Sequence, residues 1–456
     1  MQNLMPKIIS LAKRRGFIFP SSEIYGGFGS CYDFVPLGVE MKNNIKKAWW
    51  DEMTKNQENI VGLDAAILMS PKVWQASGHL TAGFADELVE CKSCHKRFRT
   101  DEIGRGRASA SCPECGGELT EPRKFNLMMR TFVGPVENEA ALTYLRAETC
   151  QGIYMNYENV LNSMRLKILF GMAQIGKVFR NEITTKNFIF RIREFEQMEM
   201  EWFCRPKEAE KYFDFWKKER LNWYLNLGLK KENLREREVS EKELPHYSIR
   251  TVDIEYKFPF GWGELEAINN RGDWDLSNHS KCSGKDLRYV DEEKKKKYFL
   301  YIVETSGGID RVFLALLCDA YQEIKGGRTK TTKPTKEVEI LLKLDKRIAP
   351  IKVAVLPLVR NKPELVKKAR EVYQLLKPHF ICQYDELGSI GRRYRRMDEV
   401  GTVTSITCDF QTLKDNTVTL RDRDNMKQIR VEIPKLQEII QKILEGERFL
   451  KLGKPI

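Results

Sequence analysis

The sequence FRNEITTKNFIFRIREFEQMEMEWF, Phe179–Phe203, predicts two strands joined by a loop at Thr184–Phe188. Side chains alternate between the two faces of a strand. Arg180 and Glu182 therefore share one face of the first strand. One face of the second strand carries Arg191, Arg193, Phe195, Gln197, Glu199 and Glu201.

So much charge on one face of a central hairpin is costly unless that face lines a site. Guanidinium groups suit phosphates, and Phe195 offers a ring on which a base could stack. The alternative is an exposed outer strand whose charged side chains pair with one another. Periodicity alone leaves both interpretations open.

A second candidate site lies in YIVETSGGIDRVFLALLCDAY, Tyr301–Tyr321, which predicts a strand, a turn at Ser306–Gly308 and a helix. The buried side of that helix carries Leu314, Leu317 and Ala320. Arg311 lies in the first turn, where a lone cation opposes the helix dipole. A bound phosphate would explain its presence. The glycines could admit a ligand or serve only as a turn, and the sequence has no Walker A motif.

Four of the eleven cysteines form two Cys-x-x-Cys pairs, Cys91/Cys94 and Cys112/Cys115, separated by residues 95–111. Two such pairs match a tetrahedral zinc site, because each tight turn supplies two thiolates. The surrounding segment, residues 86–122, has little apolar mass of its own, and a bound metal would stabilise it. Redox dithiols and chance are the alternatives. With four protein ligands no open position remains, so the predicted zinc is structural.

The chain has 456 residues, a formal net charge of +13 and a pI near 9.1, so two or three domains are expected. Its 42% hydrophobic and 31% charged residues are typical of a globular protein and exclude general disorder. No apolar run reaches the ~18 residues of a membrane helix. The stretch Ile8–Ala12 is too brief for a signal peptide, and the remaining cysteines fit reduced core thiols. We expect a cytoplasmic protein, and its charge is compatible with a polyanionic partner.

The polar stretch GGRTKTTKPTKEV, Gly326–Val338, is typical of a linker, which we place at residues 326–345. Beyond it, strands are predicted at residues 351–359, 380–384, 402–406 and 417–420, and helices at 363–377, 390–397 and from Pro434. Residues 346–456 are therefore a compact α/β domain. Residues 1–325 suggest an antiparallel sheet with helices, interrupted by a charged helical insert at 206–243 whose aromatic residues are predicted to pack in the core.

Three segments together resemble the three motifs of class II aminoacyl-tRNA synthetases. YDFVPLGVEMKNNIKKAWWDEM, Tyr32–Met53, is similar to the first, a strand ended by proline and then a long helix at the dimer interface. Phe179–Phe203 resembles the second, and GGIDR, Gly307–Arg311, the third. Within the class, RGFIFPSSEIYGG, DAAILMSPKVWQASGH, RAETCQGIYMNY, DIEYKFPFGWGELEAI and RRYRRMDEVGT are similar to segments of dimeric glycyl-tRNA synthetases.

The resemblance spans nearly the whole chain and implies an α+β fold. Residues 1–325 would be a class II synthetase-type catalytic domain with a zinc-ribbon-like insert at 86–122, and residues 346–456 an anticodon-binding α/β domain. The implied function is ATP-dependent attachment of glycine to tRNA(Gly) through glycyl-adenylate, with transfer to the 3′-hydroxyl of the terminal adenosine. The cofactors would be ATP, Mg2+ and structural Zn2+, and the partners would be glycine and tRNA(Gly). The protein would form a homodimer and would not associate with a membrane.

Carried over by position, the resemblance implies three catalytic residues. Arg180 would contact the α-phosphate of ATP and Glu182 the adenine amino group, while Arg311 would lie near the γ-phosphate. Phe195 would stack on adenine, and Glu264 would bind magnesium. The implied ATP site consists of Arg180, Asn181, Glu182, Phe190, Arg191, Ile192, Arg193, Glu194, Phe195, Glu264, Leu265, Gly308, Ile309, Asp310 and Arg311.

The implied glycine pocket is rich in carboxylates, which suits a substrate that has an ammonium group and no side chain. Larger amino acids would be excluded sterically. The pocket consists of Arg99, Glu148, Phe195, Glu196, Gln197, Met198, Glu199, Glu304, Thr305, Ser306, Gly307 and Gly308. The sequence departs from the usual pattern at Val35, Ala147, Cys150, Thr185 and Thr305, none of which removes a charged contact, so we expect effects on loop rigidity and KM.

A basic cluster follows Gly391 and is a candidate contact for tRNA phosphates, the alternative being a solvated helix face. It consists of Arg392, Arg393, Arg395 and Arg396. The alternative function is a non-catalytic synthetase-like accessory subunit that binds nucleic acid. Such relatives usually lose arginines or carboxylates that this sequence keeps. A synthetase for another small amino acid is opposed by the sequence around Glu148 and Glu304.

Overall fold

The computed structural model describes residues 4–80, 84–100, 103, 111–292, 294–328 and 338–456. Its helices are α1 (Leu4–Arg15), α2 (Pro36–Thr54), α3 (Pro71–Ala76), α4 (Cys150–Ser163), α5 (Ala209–Asn226), α6 (Trp274–Ser283), α7 (Ile309–Ala320), α8 (Pro363–Leu376), α9 (Ile390–Glu399), α10 (Thr412–Asp415) and α11 (Leu436–Leu444). None of these helices is long and apolar enough to span a bilayer.

The strands of the larger domain are β1 (Ile18–Pro20), β2 (Tyr32–Phe34), β3 (Ile60–Gly62), β4 (Ala85–Glu90), β5 (Arg97–Arg99), β6 (Arg123–Asn126), β7 (Met129–Phe132), β8 (Leu142–Leu145), β9 (Phe170–Phe179), β10 (Glu194–Cys204), β11 (Leu234–Glu238), β12 (Arg250–Phe258), β13 (Gly261–Gly272), β14 (Tyr289–Asp291), β15 (Lys296–Tyr298), β16 (Tyr301–Gly308) and β17 (Tyr321–Lys325). Those that follow are β18 (Val338–Leu342), β19 (Val353–Pro357), β20 (Cys382–Tyr384), β21 (Thr404–Cys408), β22 (Thr417–Asp422), β23 (Gln428–Glu432) and β24 (Lys454–Pro455).

A seven-stranded sheet forms the centre of the larger domain, in the order β11-β12-β13-β16-β10-β9-β3. Neighbouring strands are antiparallel except β3 and β9, which run parallel. The predicted antiparallel sheet with helices is therefore confirmed. A smaller sheet, β5-β4-β6, lies in the cysteine-bearing segment.

The two faces of the central strand β10 have different surroundings, because its side chains alternate. Met198 and Met200 are fully buried in the main core, which also contains Phe213 of α5 and Phe313 of α7. The opposite face carries Phe195, Gln197 and Glu199 into a cavity, the candidate site. The charged face predicted from the sequence therefore belongs to a central strand and not to an exposed edge.

Helix α2 begins with Pro36 at its first position, where a missing backbone N–H costs nothing. A Cβ atom at Gly38 would lie 1.9 Å from the carbonyl oxygen of Phe17, so only glycine permits this approach of α2 to the chain after α1. From there α2 packs against α7, whose side chains are almost entirely buried. This packing brings the first and third predicted motifs together.

The second domain contains a six-stranded sheet in the order β20-β19-β21-β22-β23-β24. β19 pairs in parallel with β20 and β21, and the remaining pairs are antiparallel. Each strand and helix expected from the sequence after residue 350 lies within a few residues of an observed one. The predicted α/β character is confirmed.

Two parts of the predicted domain layout differ from the structure. Residues 206–243 contain α5, but they also include β11, which pairs with β12 as the edge strand of the main sheet. The predicted linker includes β18, which pairs with β17 and has Leu341 and Leu342 buried. Residues 329–337 of that linker lie outside the described residues. Of the aromatic residues expected in the core, Phe215 is exposed.

Candidate active site

The hairpin of β9 and β10 differs from its prediction at the turn. β9 ends at Phe179, so Arg180 and Glu182 lie in the connecting loop and not on a strand face. The loop bends back on itself, and the backbone N–H of Arg180 donates to the carbonyl oxygen of Arg193 at 2.9 Å. The alternation expected for Phe195, Gln197 and Glu199 holds, because these residues lie within β10.

A cavity of about 450 Å³ opens between this loop, β10, β12, β13, β16 and the start of α7. From the predicted ATP site it is lined by Arg180, Glu182, Phe190, Arg191, Ile192, Phe195, Glu264, Gly308, Asp310 and Arg311. From the predicted glycine pocket it is lined by Glu148, Phe195, Gln197, Glu199, Glu304, Ser306, Gly307 and Gly308. The two predicted sites therefore share one continuous space.

Two arginines define the end of the cavity expected to hold a nucleotide. The guanidinium of Arg180 lies 5.5 Å from the centre of the Phe195 ring, and its Nε donates to the carbonyl oxygen of Ala147 at 3.1 Å. The guanidinium of Arg311 lies 4.5 Å from the ring of Phe190. Its Nη1 is 3.2 Å from a carboxylate oxygen of Glu264. Both cations are held at the cavity wall beside aromatic rings.

Buried acceptor atoms without partners mark the cavity as a binding site. Among the described residues, Glu182 Oε2 and Gln197 Oε1 are buried and accept no hydrogen bond, although both side chains line the cavity. Leaving such atoms unpaired costs about 1–3 kcal/mol each. A ligand that donates hydrogen bonds would satisfy both atoms.

Carboxylates form the other end of the cavity. Glu199 accepts hydrogen bonds from Ser306 Oγ at 2.6 Å and from the backbone N–H of Thr149 at 2.9 Å. Burial, reinforced by the nearby charge of Glu148, raises the pKa of Glu199. Because a cationic group placed between these carboxylates would relieve their repulsion, this end suits an ammonium ion.

Glu148 is held charged by its partners. Burial alone would raise its pKa, but His79, whose Nε2 lies 3.3 Å away, together with Arg271 and Cys150 outweighs burial and holds the pKa well below the usual range. Gln151 donates to the same carboxylate at 2.8 Å. Cys150 is buried beneath it with its Sγ donating to Glu148 at 3.0 Å, so this departure from the usual pattern adds a hydrogen bond.

Glu304 accepts hydrogen bonds from two residues that were not predicted from the sequence. Arg271 Nη1 donates to Glu304 Oε1 at 3.0 Å, and Asn269 Nδ2 donates to Oε2 at 2.5 Å. Burial raises the pKa of Glu304 to about 7, despite the opposing effect of Arg271. The Arg271 guanidinium also lies 3.8 Å from the ring centre of Tyr247, which lines the cavity.

Further cavity-lining residues were not predicted. They are Ile189, Arg237, Val239, Glu243, Pro245, Tyr247, Thr251, Asp253, Ala267 and Asn269. Most lie on β12, on β13 or in the segment before β12. The alternating side chains of DIEYKFPFGWGELEAI could have indicated Asp253, because a hairpin in the sheet presents one face to the site.

Several predicted residues are absent from the described cavity lining. Met198, Leu265, Thr305 and Ile309 are buried in the protein interior. Strand alternation accounts for Met198 and Leu265, since each adjoins a residue that does line the cavity. Any contact of these four residues with a ligand would therefore be made by their backbone atoms.

The charged residues absent from the lining have other contacts. Glu194 pairs with Lys177, and Arg99 donates to Asp86 at 2.8 Å in the small sheet. Arg193 donates to the backbone carbonyl oxygens of Glu182 and Gly29 and so holds the loop that contains Glu182 in place. Glu196 pairs with Lys42 and Lys46. The uncharged Asn181 is also absent from the lining, and its backbone N–H donates to the carbonyl oxygen of Leu127.

Comparison with known proteins identifies the family. Residues 135–321 match the tRNA synthetase class II core domain (G, H, P, S and T), and residues 352–443 match the anticodon binding domain. The glycine--tRNA ligase of Thermobifida fusca is 50% identical over 459 residues, covering 97% of this chain and 98% of the relative. The glycine--tRNA ligase of Treponema denticola is 51% identical over 429 residues, covering 94% of each. The chain belongs to the glycine--tRNA ligase family.

Membership of the glycine--tRNA ligases confirms the resemblance drawn from the sequence motifs. It makes the chain a class II aminoacyl-tRNA synthetase and excludes the accessory subunit without catalysis. A third relative, the glycine--tRNA ligase of Streptomyces coelicolor, is 49% identical over 456 residues, covering 96% of this chain and 98% of the relative.

The four cysteines of this glycine--tRNA ligase family member converge on one point. Cys91 Sγ lies 3.5 Å from Cys115 Sγ, Cys94 Sγ lies 3.7 Å from Cys112 Sγ, and all four sulfurs lie within 4.8 Å of one another. Zinc–thiolate bonds of about 2.3 Å in a tetrahedron need sulfur–sulfur distances of about 3.8 Å. The backbone N–H of Cys94 donates to Cys91 and holds the pKa of that thiol at about 6. The four thiols therefore fit a zinc ion.

The predicted arginine cluster on α9 is largely engaged within the second domain. Arg393 is buried and donates to backbone carbonyls at the end of β19. Arg395 pairs with a carboxylate of β18, and Arg396 donates to Asp385 at 2.8 Å. Of the four, Arg392 alone is exposed. The four arginines therefore do not form one solvated face of α9, and their contact with tRNA phosphates stays a prediction.

Proposed function

We propose that this chain attaches glycine to tRNA(Gly) in two steps. An oxygen of the glycine carboxylate attacks the α-phosphorus of ATP, which forms glycyl-adenylate and releases pyrophosphate. The 3′-hydroxyl of the terminal tRNA adenosine then attacks the glycyl carbonyl carbon and releases AMP. The observation that carries the proposal is one cavity with arginines and aromatic rings at one end and buried carboxylates at the other.

The nucleotide end would act by positioning and charge stabilisation. Arg180 and Arg311 supply cations for the triphosphate, and Phe195 supplies a ring for adenine. Glu182 Oε2, buried and without a partner among the described residues, is available to accept a hydrogen bond from the adenine amino group. No side-chain nucleophile is needed, because the substrate carboxylate attacks.

The carboxylate end would select glycine by charge and size. Glu148, Glu199 and Glu304 face an ammonium group, while Tyr247 and Ala267 line the same cavity and limit the room for a side chain. Rejecting a larger amino acid by steric exclusion is easier than rejecting a smaller one.

Magnesium fits the nucleotide end. The carboxylates of Glu264 and Asp253 both line the cavity, and oxygen ligands are those that Mg2+ prefers. Burial, followed by the charge of Glu264, raises the pKa of Asp253 to about 6. A divalent cation between the two carboxylates would relieve their repulsion. When bound, Mg2+ would neutralise charge on the triphosphate.

Glycine-dependent ATP–pyrophosphate exchange without tRNA tests the first step. We expect exchange with glycine and none above background with alanine, serine or proline. Absence of exchange in a folded, zinc-loaded sample supplied with magnesium would contradict adenylate formation. Transfer of radiolabelled glycine to tRNA(Gly) transcripts would then test the second step.

Since ATP and tRNA are the substrates, we place the protein in the cytoplasm.

The affinity for glycine should depend on pH through Glu304. Its pKa of about 7 means that a rising pH converts a neutral carboxyl group into a carboxylate able to bind an ammonium ion. We expect KM for glycine to fall about tenfold between pH 6 and pH 8, with KM for ATP changing less. Exchange kinetics at saturating ATP measure this. A glycine KM that is flat over this range would contradict the assignment.

Zinc should be present at about one equivalent per chain. Metal analysis of purified protein measures it, and we expect Cys94→Ser and Cys115→Ser to lose the metal and lower the thermal midpoint. Cys282→Ser, at an exposed cysteine remote in sequence from the cluster, is the matched control and should keep the zinc. Wild-type protein with far less than one equivalent would exclude the site.

We propose a homodimer, supported by exposed apolar side chains next to the first motif. Ile24, Tyr25 and Phe28 are 90%, 86% and 65% exposed, although side chains of this kind usually avoid water when clustered. Sedimentation equilibrium at micromolar concentration should give twice the chain mass of 53.2 kDa. Ile24→Asp combined with Tyr25→Asp should shift the protein toward monomer. A wild-type species at the chain mass would contradict the dimer.

A further inference from the structure

Lys42 of α2 is a buried cation between two segments of the nucleotide site. Its side chain is 9% exposed, and its Nζ donates to Asp310 Oδ1 at 2.8 Å and lies 2.9 Å from Glu196 Oε2. The same Nζ lies 3.9 Å from the ring centre of Phe34. Burial alone would lower the pKa of Lys42, but the two carboxylates outweigh burial and raise it. The lysine is therefore charged.

Of the two carboxylates, Asp310 itself lines the nucleotide end of the cavity, and Glu196 adjoins Phe195, which does. Asp310 precedes Arg311 in the first turn of α7, and its Oδ2 accepts a hydrogen bond from the backbone N–H of Glu196 at 2.9 Å. Glu196 follows Phe195 on β10, and its side chain points away from Phe195 because neighbours alternate. One ammonium thus joins the first turn of α7 to β10 directly behind the cavity wall.

Without this ammonium, two carboxylates would face each other in a largely buried setting and repel. Lys46 Nζ lies 3.0 Å from Glu196 Oε1, but no contact of Lys46 with Asp310 is found in the described part of the chain. The arrangement also brings the three motifs together, since Lys42, Glu196 and Asp310 each come from a different one.

We propose that Lys42 is a positioning residue for the nucleotide site, holding Asp310 against Glu196 so that Arg311 and Phe195 keep their places on the cavity wall. The inference rests on the proposed function and extends it from the cavity lining to the helix behind it. It assigns to α2 an influence on ATP binding, exerted through Asp310 and Glu196, that the glycine end does not share.

The test compares Lys42→Met with Lys46→Met in ATP–pyrophosphate exchange. Lys42→Met retains most of the side-chain volume and removes the charge. We expect KM for ATP to rise about tenfold and KM for glycine to change less than about twofold, because other residues hold the glycine carboxylates. Lys46→Met, one helical turn away and bonded to the same glutamate, should leave both values within about twofold.

Asp310→Asn provides a second variant that removes the other half of the ion pair. It should raise KM for ATP selectively, and the double variant should be no worse than the more affected single variant. Thermal melting establishes whether each variant is folded. If Lys42→Met does not fold, Glu196→Gln decides, because its side chain does not line the cavity among the described residues: KM for ATP should rise while KM for glycine changes little.

Two results would overturn the inference: a folded Lys42→Met with unchanged KM for ATP, or an equal rise in both KM values. The wild type separates this failure from that of the proposed function. A wild type without exchange contradicts the proposed function, whereas wild-type exchange together with an unaffected Lys42→Met contradicts only the role of Lys42.

Discussion

Replacing Arg311 by alanine is expected to reduce glycine-dependent exchange about 10²–10³-fold. Its guanidinium is fixed at the cavity wall by the Phe190 ring and by Glu264, so it is oriented before ATP arrives. A preorganised cation stabilises the charge that develops on the phosphates without reorganisation cost in the reacting state. The measurement is kcat and KM for ATP in the exchange assay.

Arg288→Ala is the matched control for Arg311→Ala. Arg288 is exposed, pairs with Asp286 at 2.8 Å and does not line the cavity among the described residues. Its removal should leave exchange within about twofold of the wild type, as is usual for surface pairs. An Arg311→Ala protein as active as this control would remove Arg311 from the catalytic set.

Replacing Glu304 by glutamine should raise KM for glycine about 100-fold, while KM for ATP stays close to the wild-type value. The substitution removes a charge predicted to face the substrate ammonium. It also leaves Arg271 with Asp275 as its carboxylate partner among the described residues. Because the amide keeps the size of the carboxyl group, the cavity retains its shape. Exchange kinetics with varied glycine measure the effect.

Glu201→Gln distinguishes a specific loss from general damage to the carboxylate layer. Glu201 is fully buried on the same face of β10 as Glu199, and Tyr154 donates to it at 2.8 Å. Burial, followed by the charge of Glu304, raises its pKa well above the usual range, which favours the neutral form that an amide resembles. We expect KM for glycine to stay within about threefold. Equal effects of Glu304→Gln and Glu201→Gln would argue against a direct contact.

The sequence allowed the charged face of β10 to be predicted because strand alternation is a local property. The prediction that Arg180 and Glu182 lie on a strand face was wrong, because the alternation was extended past Phe179, where the strand ends. The loop places these two side chains through backbone bonds to distant segments, such as the Asn181 N–H to the carbonyl oxygen of Leu127. Local periodicity contains no information on such bonds.

The residues that were missed depend on strand order. Arg271 and Asn269 reach Glu304 because β13 lies beside β16 in register, with Asn269 opposite Glu304. Neither residue belongs to a motif, and the pairing joins segments more than thirty positions apart. The partners of the α9 arginines were missed for the same reason, since they belong to β18, to the end of β19 and to the segment before α9. Family resemblance supplied most of the residues that line the cavity, whereas the contacts that support them required the fold.

The paired strands β17 and β18 determine how the junction between the domains tolerates changes in length. They pair from Tyr321 opposite Leu342 to Lys325 opposite Val338, so the chain enters and leaves residues 326–337 at adjacent points. Residues inserted after Arg328, which itself donates to Glu339 and Asp398, would lengthen a connection whose two ends stay paired. Each doubling of such a connection costs about 0.6 kcal/mol in closure entropy. The junction is therefore a natural place to insert an affinity tag or a fluorescent reporter.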